Sequence, residues 1–249
     1  MTTHRADAST FLDNRGYSGP LIRGVNPATL FEKPVRDRIT DSYYWKEQCF
    51  GLNAATLCDR AVELTCIGGV YGVAEKPSPF LCLAFKLLQL NPPRDIVLEY
   101  LNFTDEEDDD EEEGAEDRDI DDGVVKAKGS FKYLRALAAF YVRLTFEPVE
   151  VYKTLEPLLL DYRKLKRRIR DSFTLTYMDQ FVDELLTRER VCGTSLWKLP
   201  GRQQLEDLDL LDVRVSPLQE ELEEMERSDG EEEDNEGEGS EEGERQGDD

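Results

Sequence analysis

The stretch LDYRKLKRRIRDSFTLTY, Leu160 to Tyr177, decides whether this chain reads as helical or mixed. Pro157 and the apolar residues Leu158 to Leu160 precede its basic half. LLLDYRKLKRRIR therefore reads as a helix bent or restarted at Pro157, with a positive end that suits the helix dipole. SFTLTY alternates polar and apolar residues, as a short strand or an extended joint does. One short strand without a partner makes no sheet, so the stretch predicts helix followed by a linker.

The rest of the chain reads the same way. In VNPATLFEKPVRDRI, Asn26 is an N-cap and Pro27 fits the first helical position, while Pro34 predicts a kink or break after Leu30. Asp41 or Ser42 caps YYWKEQCF, which Gly51 closes, and Asn53 opens AATLCDRAVELTC. Ser78 and Pro79 open PFLCLAFKLLQL, apolar nearly all round and so central to a core. RDIVLEYLNF, FKYLRALAAFYVRLT capped by Ser130, VEVYKTLE, MDQFVDELLTRERVC and SPLQEELEEMER complete eight or nine helices. The expected fold is all-α: a single compact multi-helix domain with an acidic insert and an acidic tail. Its predicted parts are a flexible N-terminus, 1–20, and a helical scaffold domain, 21–200, interrupted at 104–129. A C-terminal amphipathic segment, 201–227, and an acidic tail, 228–249, follow.

The formal charge of −24 is carried entirely by two blocks. Residues 104–123 hold 14 acids and one Arg, and residues 228–249 hold 12 acids and one Arg. Such blocks repel themselves and bury no apolar surface, so they are expected to be disordered. They read as solubilising spacers, or as lures for basic proteins. The remainder is neutral.

Several chemistries are argued against. The one histidine, His4, lies in a polar N-terminal tail, a poor place for a Ser-His-Asp or Cys-His apparatus. Cys49, Cys58, Cys66, Cys82 and Cys192 are scattered singly, so no metal site and no disulfide framework is expected, and reduced thiols fit a cytosolic or nuclear setting. MTTHRADAST has no apolar core of the kind a secretory signal needs. PFLCLAFKLLQL is too short to span a bilayer, so no membrane contact is expected. Gly68, Gly69 and Gly72 in IGGVYG follow a predicted helix and lack a closing Lys-Ser or Lys-Thr. They read as the end of that helix and a turn, in preference to a phosphate loop. No catalytic residue and no cofactor is assigned.

Two clusters suit binding. SYYWKEQCF supplies Tyr43, Tyr44, Trp45 and Phe50, which serve either as core or as a partner anchor. The basic run offers Arg163, Lys164, Lys166, Arg167, Arg168 and Arg170, as a solvated helix end or as an RNA contact, direct or indirect, aimed at the backbone.

The segments YWKEQCFGL, IGGVYG, KPSPFLCLAFKLLQL, FKYLRALAAFYVRLT, YKTLEPLLLDYRKLK and FVDELLTRERVC, in this order, resemble the pre-mRNA-splicing factor 38 family over about residues 24–195. The resemblance implies an all-helical domain and a nuclear, non-enzymatic spliceosome scaffold needed for activation. It also implies other spliceosomal proteins as partners, including a zinc-finger protein and a helical, microfibrillar-associated-protein-like one. The chain departs from the family at Pro34, in the acidic insert, and in an acidic stretch where animal members often carry an Arg/Ser-rich tail. Helix-in-groove docking is the expected mechanism. The candidate contacts are Tyr43, Trp45, Arg163, Lys164, Arg167, Leu218 and Leu222. The rival readings are an acidic-tailed adaptor or chaperone for basic nuclear proteins and a nucleotide enzyme built on the glycine stretch.

Overall fold

A computed structural model describes residues 17–103 and 131–215. The acidic insert, the acidic tail, His4, Ser130, Leu218 and Leu222 lie outside the described residues. The chain divides after Gly201 into two units, described separately.

In the first unit, Asn26 accepts a hydrogen bond from the Ala28 N–H and opens a 3-10 turn, Pro27–Leu30. Pro34 sits in the first turn of the next helix, α1 (Lys33–Asp41), where its missing N–H costs nothing. Ser42 ends α1 and caps α2 (Tyr43–Gln48) by accepting from the Trp45 N–H at 3.2 Å. Asn53 and Thr56 form a capping box at the start of α3 (Ala54–Val62). Ser78 caps α4 (Pro79–Leu90), and α5 (Arg94–Leu101) follows after two prolines. Beyond the insert come α6 (Lys132–Thr145), α7 (Pro148–Leu155), a 3-10 turn at Glu156–Leu160, and α8 (Met178–Thr187).

The centre is α4 and α6, whose residues Phe80 to Leu88 and Leu134 to Leu144 are all buried. Phe80 and Phe140 join them at 5.8 Å between ring centroids, with Phe31 on Phe85 at 5.6 Å and Phe181 of α8 on Phe80 at 6.3 Å. Each such ring contributes roughly 1.5–3 kcal/mol by leaving water. Phe103 and Phe131, which flank the insert, lie with their rings 5.6 Å apart.

The expectation of an all-α fold is wrong. Seven short strands form three sheets among the described residues, and the fold is mixed. The strands are β1 (Ile67–Gly68), β2 (Val70–Tyr71), β3 (Lys76–Pro77), β4 (Lys164–Arg168), β5 (Phe173–Tyr177), β6 (Arg190–Val191) and β7 (Thr194–Ser195). The order β1-β4-β5 makes one sheet, with β1 parallel to β4 and β4 antiparallel to β5; β2-β3 and β6-β7 are hairpins. The basic run is thus a strand, and it is the partner that SFTLTY was judged to lack. Asp161 stops helical continuation by accepting the Arg163 N–H with its own carboxylate at 3.2 Å, an Asx-type turn that sends the chain into β4.

The glycine stretch is corrected as well. Val62 ends α3, so Gly68 and Gly69 terminate no helix. Ser78 reaches back to them, donating its hydroxyl to the Gly68 carbonyl and its N–H to the Gly69 carbonyl at 2.8 Å. A Cβ at Gly69 would stand 2.2 Å from the Cys192 carbonyl oxygen. The glycines serve close backbone packing between β1 and the β6–β7 turn.

Buried arginines hold the segment after α8. Arg143 donates to the carbonyls of Leu185 at 2.7 Å and Trp197 at 2.8 Å, and the Trp197 indole returns a bond to the Arg143 carbonyl at 3.0 Å. The second unit contains α9 (Arg202–Asp207). Its Arg202 pairs with Glu206 and donates to the Asp212 carbonyl at 2.9 Å.

Candidate partner-binding surfaces

The aromatic cluster is arranged by the break at Ser42. Capping there starts a helix of only six residues, which lays Trp45 on Phe85 at 5.2 Å and turns Tyr43 outward, 76% exposed. Lys86, buried on α4, holds its ammonium 5.6 Å from the Trp45 ring centroid, and burial pushes its pKa down. Phe50 projects beyond the helix end at 85% exposure. Tyr43 and Phe50 are therefore exposed aromatic side chains, at the start of the helix and just past its end, while Trp45 is seated on the core. Aromatic side chains of this kind provide contact area with little rotamer entropy to lose.

The basic run divides by strand alternation. Leu165 is buried, and Arg167 turns inward, donating to the Glu184 carboxylate at 3.0 and 2.6 Å. Arg163 is bound to Asp161 at 2.8 and 2.6 Å, and Asp161 in turn accepts from the buried Arg135 at 3.0 Å. For Asp161, burial raises the pKa, but hydrogen bonds and charge from Arg163 and Arg135 outweigh it and leave the value lowered. Arg163 and Arg167 thus fasten the hairpin to the helices, while Lys164 is exposed on its outer face.

The sequence reading passed over one arrangement in this region. Tyr71, Arg168, Phe173 and Lys166 form a ladder of rings and cations: Arg168 lies 4.5 Å from the Tyr71 centroid and 4.4 Å from that of Phe173, with Lys166 4.0 Å from Phe173. The alternation in FTLTY is the sequence signal here, and it finds its partner once the basic run KLKRR is read as a strand. A cavity of about 210 Å³ opens at its foot, lined by Gly68, Gly69, Val70, Arg167, Arg168, Cys192 and Gly193. The structure brings Lys164 and Arg167 onto one strand, with Arg163 immediately before it, and Tyr43 and Trp45 onto one short helix. Leu218 and Leu222 lie outside the described residues.

Among the described residues, no group of three or more His, Cys, Asp or Glu is placed to hold a metal, and no helix is long and apolar enough to cross a membrane. The five cysteines are free thiols.

Comparison with known proteins places these surfaces in context. The model of the PRP38 family matches residues 21–209. The chain is 46% identical over 208 residues to pre-mRNA-splicing factor 38A of Danio rerio, a match covering 83% of this chain and 58% of that protein. It is 50% identical over 194 residues to pre-mRNA-splicing factor 38 of Schizosaccharomyces pombe, covering 78% of this chain and 80% of the relative. The fold is similar to a chain in the crystal structure of the Snu23-Prp38-MFAP1(217-258) complex of Chaetomium thermophilum. That similarity has a TM-score of 0.69 at 54% identity and covers 85% of this chain and all of the other.

Proposed function

The chain belongs to the PRP38 family, and from that premise we propose that it is a non-enzymatic scaffold of the spliceosome, acting in the nucleus in pre-mRNA splicing. It docks other splicing proteins during activation, and counterparts of Snu23 and MFAP1 are its partners. The observation that carries this reading is the 54% identity and shared fold with a chain from a Snu23-Prp38-MFAP1 complex. The zinc-finger partner and the microfibrillar-associated-protein-like helical partner implied by the resemblance are assigned to those two roles.

The physical basis is grip. Tyr43 and Phe50 offer exposed rings, on a short helix that Trp45 anchors to the core, for a partner helix to cover with residues at helical spacing. Lys164 gives an exposed charge at the rim of the hairpin, where it steers association more than it adds affinity. Arg163 and Arg167 contribute by fixing the hairpin that carries Lys164. Leu218 and Leu222 are proposed as a further apolar contact.

The test is capture of the purified Snu23 and MFAP1 counterparts by the full chain. Tyr43→Ala with Phe50→Ala is expected to weaken capture of one partner at least tenfold, with unchanged unfolding. Wild-type affinity in that variant would remove these rings from the interface. Loss of all capture on deleting 104–129 and 228–249, with the core intact, would favour the acidic adaptor instead.

A further inference from the structure

We propose that the outer face of the β4–β5 hairpin binds single-stranded RNA, with Lys164, Lys166 and Arg168 on the phosphates and Phe173 and Leu175 against the bases. The pairing places Lys164 opposite Tyr177, Lys166 opposite Leu175 and Arg168 opposite Phe173. Residues directly opposite share a face, so three cations and three apolar or aromatic side chains line one surface. The cations recur every second residue, about 6.6 Å apart along the strand. Asp171, in the turn, is the only acid between Lys164 and Tyr177. β5 is the outer strand of its sheet, and its Leu175 is 62% exposed.

The cations differ from several other arginines. Arg38, Arg60, Arg94, Arg167 and Arg190 each pair with a glutamate. Among the described residues, Lys164, Lys166 and Arg168 have no carboxylate partner. Arg168 is instead held between the Tyr71 and Phe173 rings, and its Nε is buried without a hydrogen-bond partner. A guanidinium fixed in this way loses little entropy on gripping a phosphate. It also borders the cavity of about 210 Å³ beside Gly68 and Gly69. Rings interleaved with cations fit a strand that alternates bases with phosphates, and base stacking on aromatic side chains adds affinity without reading sequence. An acidic peptide would use the charges and leave Phe173 and Leu175 without a role, so RNA is favoured. The inference shares Lys164 with the scaffold reading but needs neither Tyr43 nor a protein partner.

The experiment uses the full chain and a fluorescein-labelled oligouridine of about 12 nucleotides, a length within the range for sheet-based single-strand sites. Anisotropy is followed at low salt and then across a salt series. The triple variant K164Q/K166Q/R168Q is expected to weaken binding at least tenfold. It should also flatten the slope of log affinity against log salt by about 2, near 0.7 for each lost cation. Phe173→Ala is expected to weaken it several-fold. Lys46→Gln with Lys153→Gln, exposed cations elsewhere, should change nothing. Urea midpoints of all variants check that the fold is kept. The proposal is overturned if the wild-type chain does not bind, if the triple variant binds equally, or if the control variant loses as much. Polyglutamate binding as tightly as RNA, with the same loss in the triple variant, would assign the face to an acidic polypeptide and overturn it too.

Discussion

Removing the charge of Asp161 tests how the hairpin is attached. Its carboxylate accepts from Arg135 Nη1 at 3.0 Å, from Arg163 Nε at 2.8 Å and Nη2 at 2.6 Å, and from the Arg163 N–H at 3.2 Å. Its carbonyl accepts the Asp179 N–H at 3.0 Å in the first turn of α8. Asp161→Asn keeps the shape and leaves two guanidiniums facing a neutral amide. Losing one member of a buried pair costs about 3–5 kcal/mol. Arg163 is 28% exposed and can recover water, and Arg135 keeps the Leu101 carbonyl at 2.7 Å, so the loss here is about 3 kcal/mol, at the low end. With a urea slope of about 2 kcal/mol per molar, the midpoint by tryptophan fluorescence falls by roughly 1.5 M. Because the folded pKa of Asp161 lies below the ordinary 3.8, its stabilisation is complete above that value and is lost as pH falls through the lowered one. The gap between wild type and variant is therefore flat near neutrality and narrows in acid. A midpoint shift under about 0.3 M, or a gap that widens on acidification, would refute the argument that this carboxylate is a buried, ionised anchor.

Gly69→Ala places a Cβ 2.2 Å from the Cys192 carbonyl oxygen and should cost about 1–3 kcal/mol in a thermal melt. Gly72→Ala has open space and only the φ of +73° against it, so about 1 kcal/mol is expected. The Cys49 and Cys82 thiols, each pushed up to about 12 chiefly by burial, should resist iodoacetamide at pH 8 in the folded chain and react in urea, as read by mass spectrometry. Tyr43→Ala should leave the unfolding midpoint within about 0.5 kcal/mol of wild type while weakening partner capture, since Tyr43 is 76% exposed.

What the sequence made legible was local. Asn26, Ser42, Asn53 and Ser78 each carry a cap whose hydrogen bonds close within three residues. Apolar residues all round α4 mark a core helix without reference to anything distant. The hairpin failed for the opposite reason. β4 has a single buried apolar residue, Leu165, so a window over it shows a charged run and no hydrophobic alternation. Its parallel partner, Ile67 against Arg167, lies 100 residues away, where no periodicity reaches. Its near partner was legible, but only once the basic run was allowed to be a strand. The glycines were misread in the same way, because what forbids a side chain at Gly69 is a carbonyl from Cys192, far along the chain.

The candidate surfaces divide along the same line. Tyr43 and Trp45 were singled out by residue type, and the geometry separates them, one outward and one seated on Phe85. Arg163, Lys164 and Arg167 were read among six charges on one predicted helix end. A strand sorts them strictly by parity, which ties Arg167 to Glu184 and leaves Lys164, Lys166 and Arg168 together on the far side. Net charge concealed this, because 26 of the 55 acids sit in two blocks while the rest of the chain is neutral. At physiological salt, exposed charges more than about 8 Å apart are largely screened. What a ligand meets at the hairpin is then decided by Lys166 and Arg168 beside Phe173, with Lys164 further along the same face, and the overall −24 sets only how the molecule behaves at a distance.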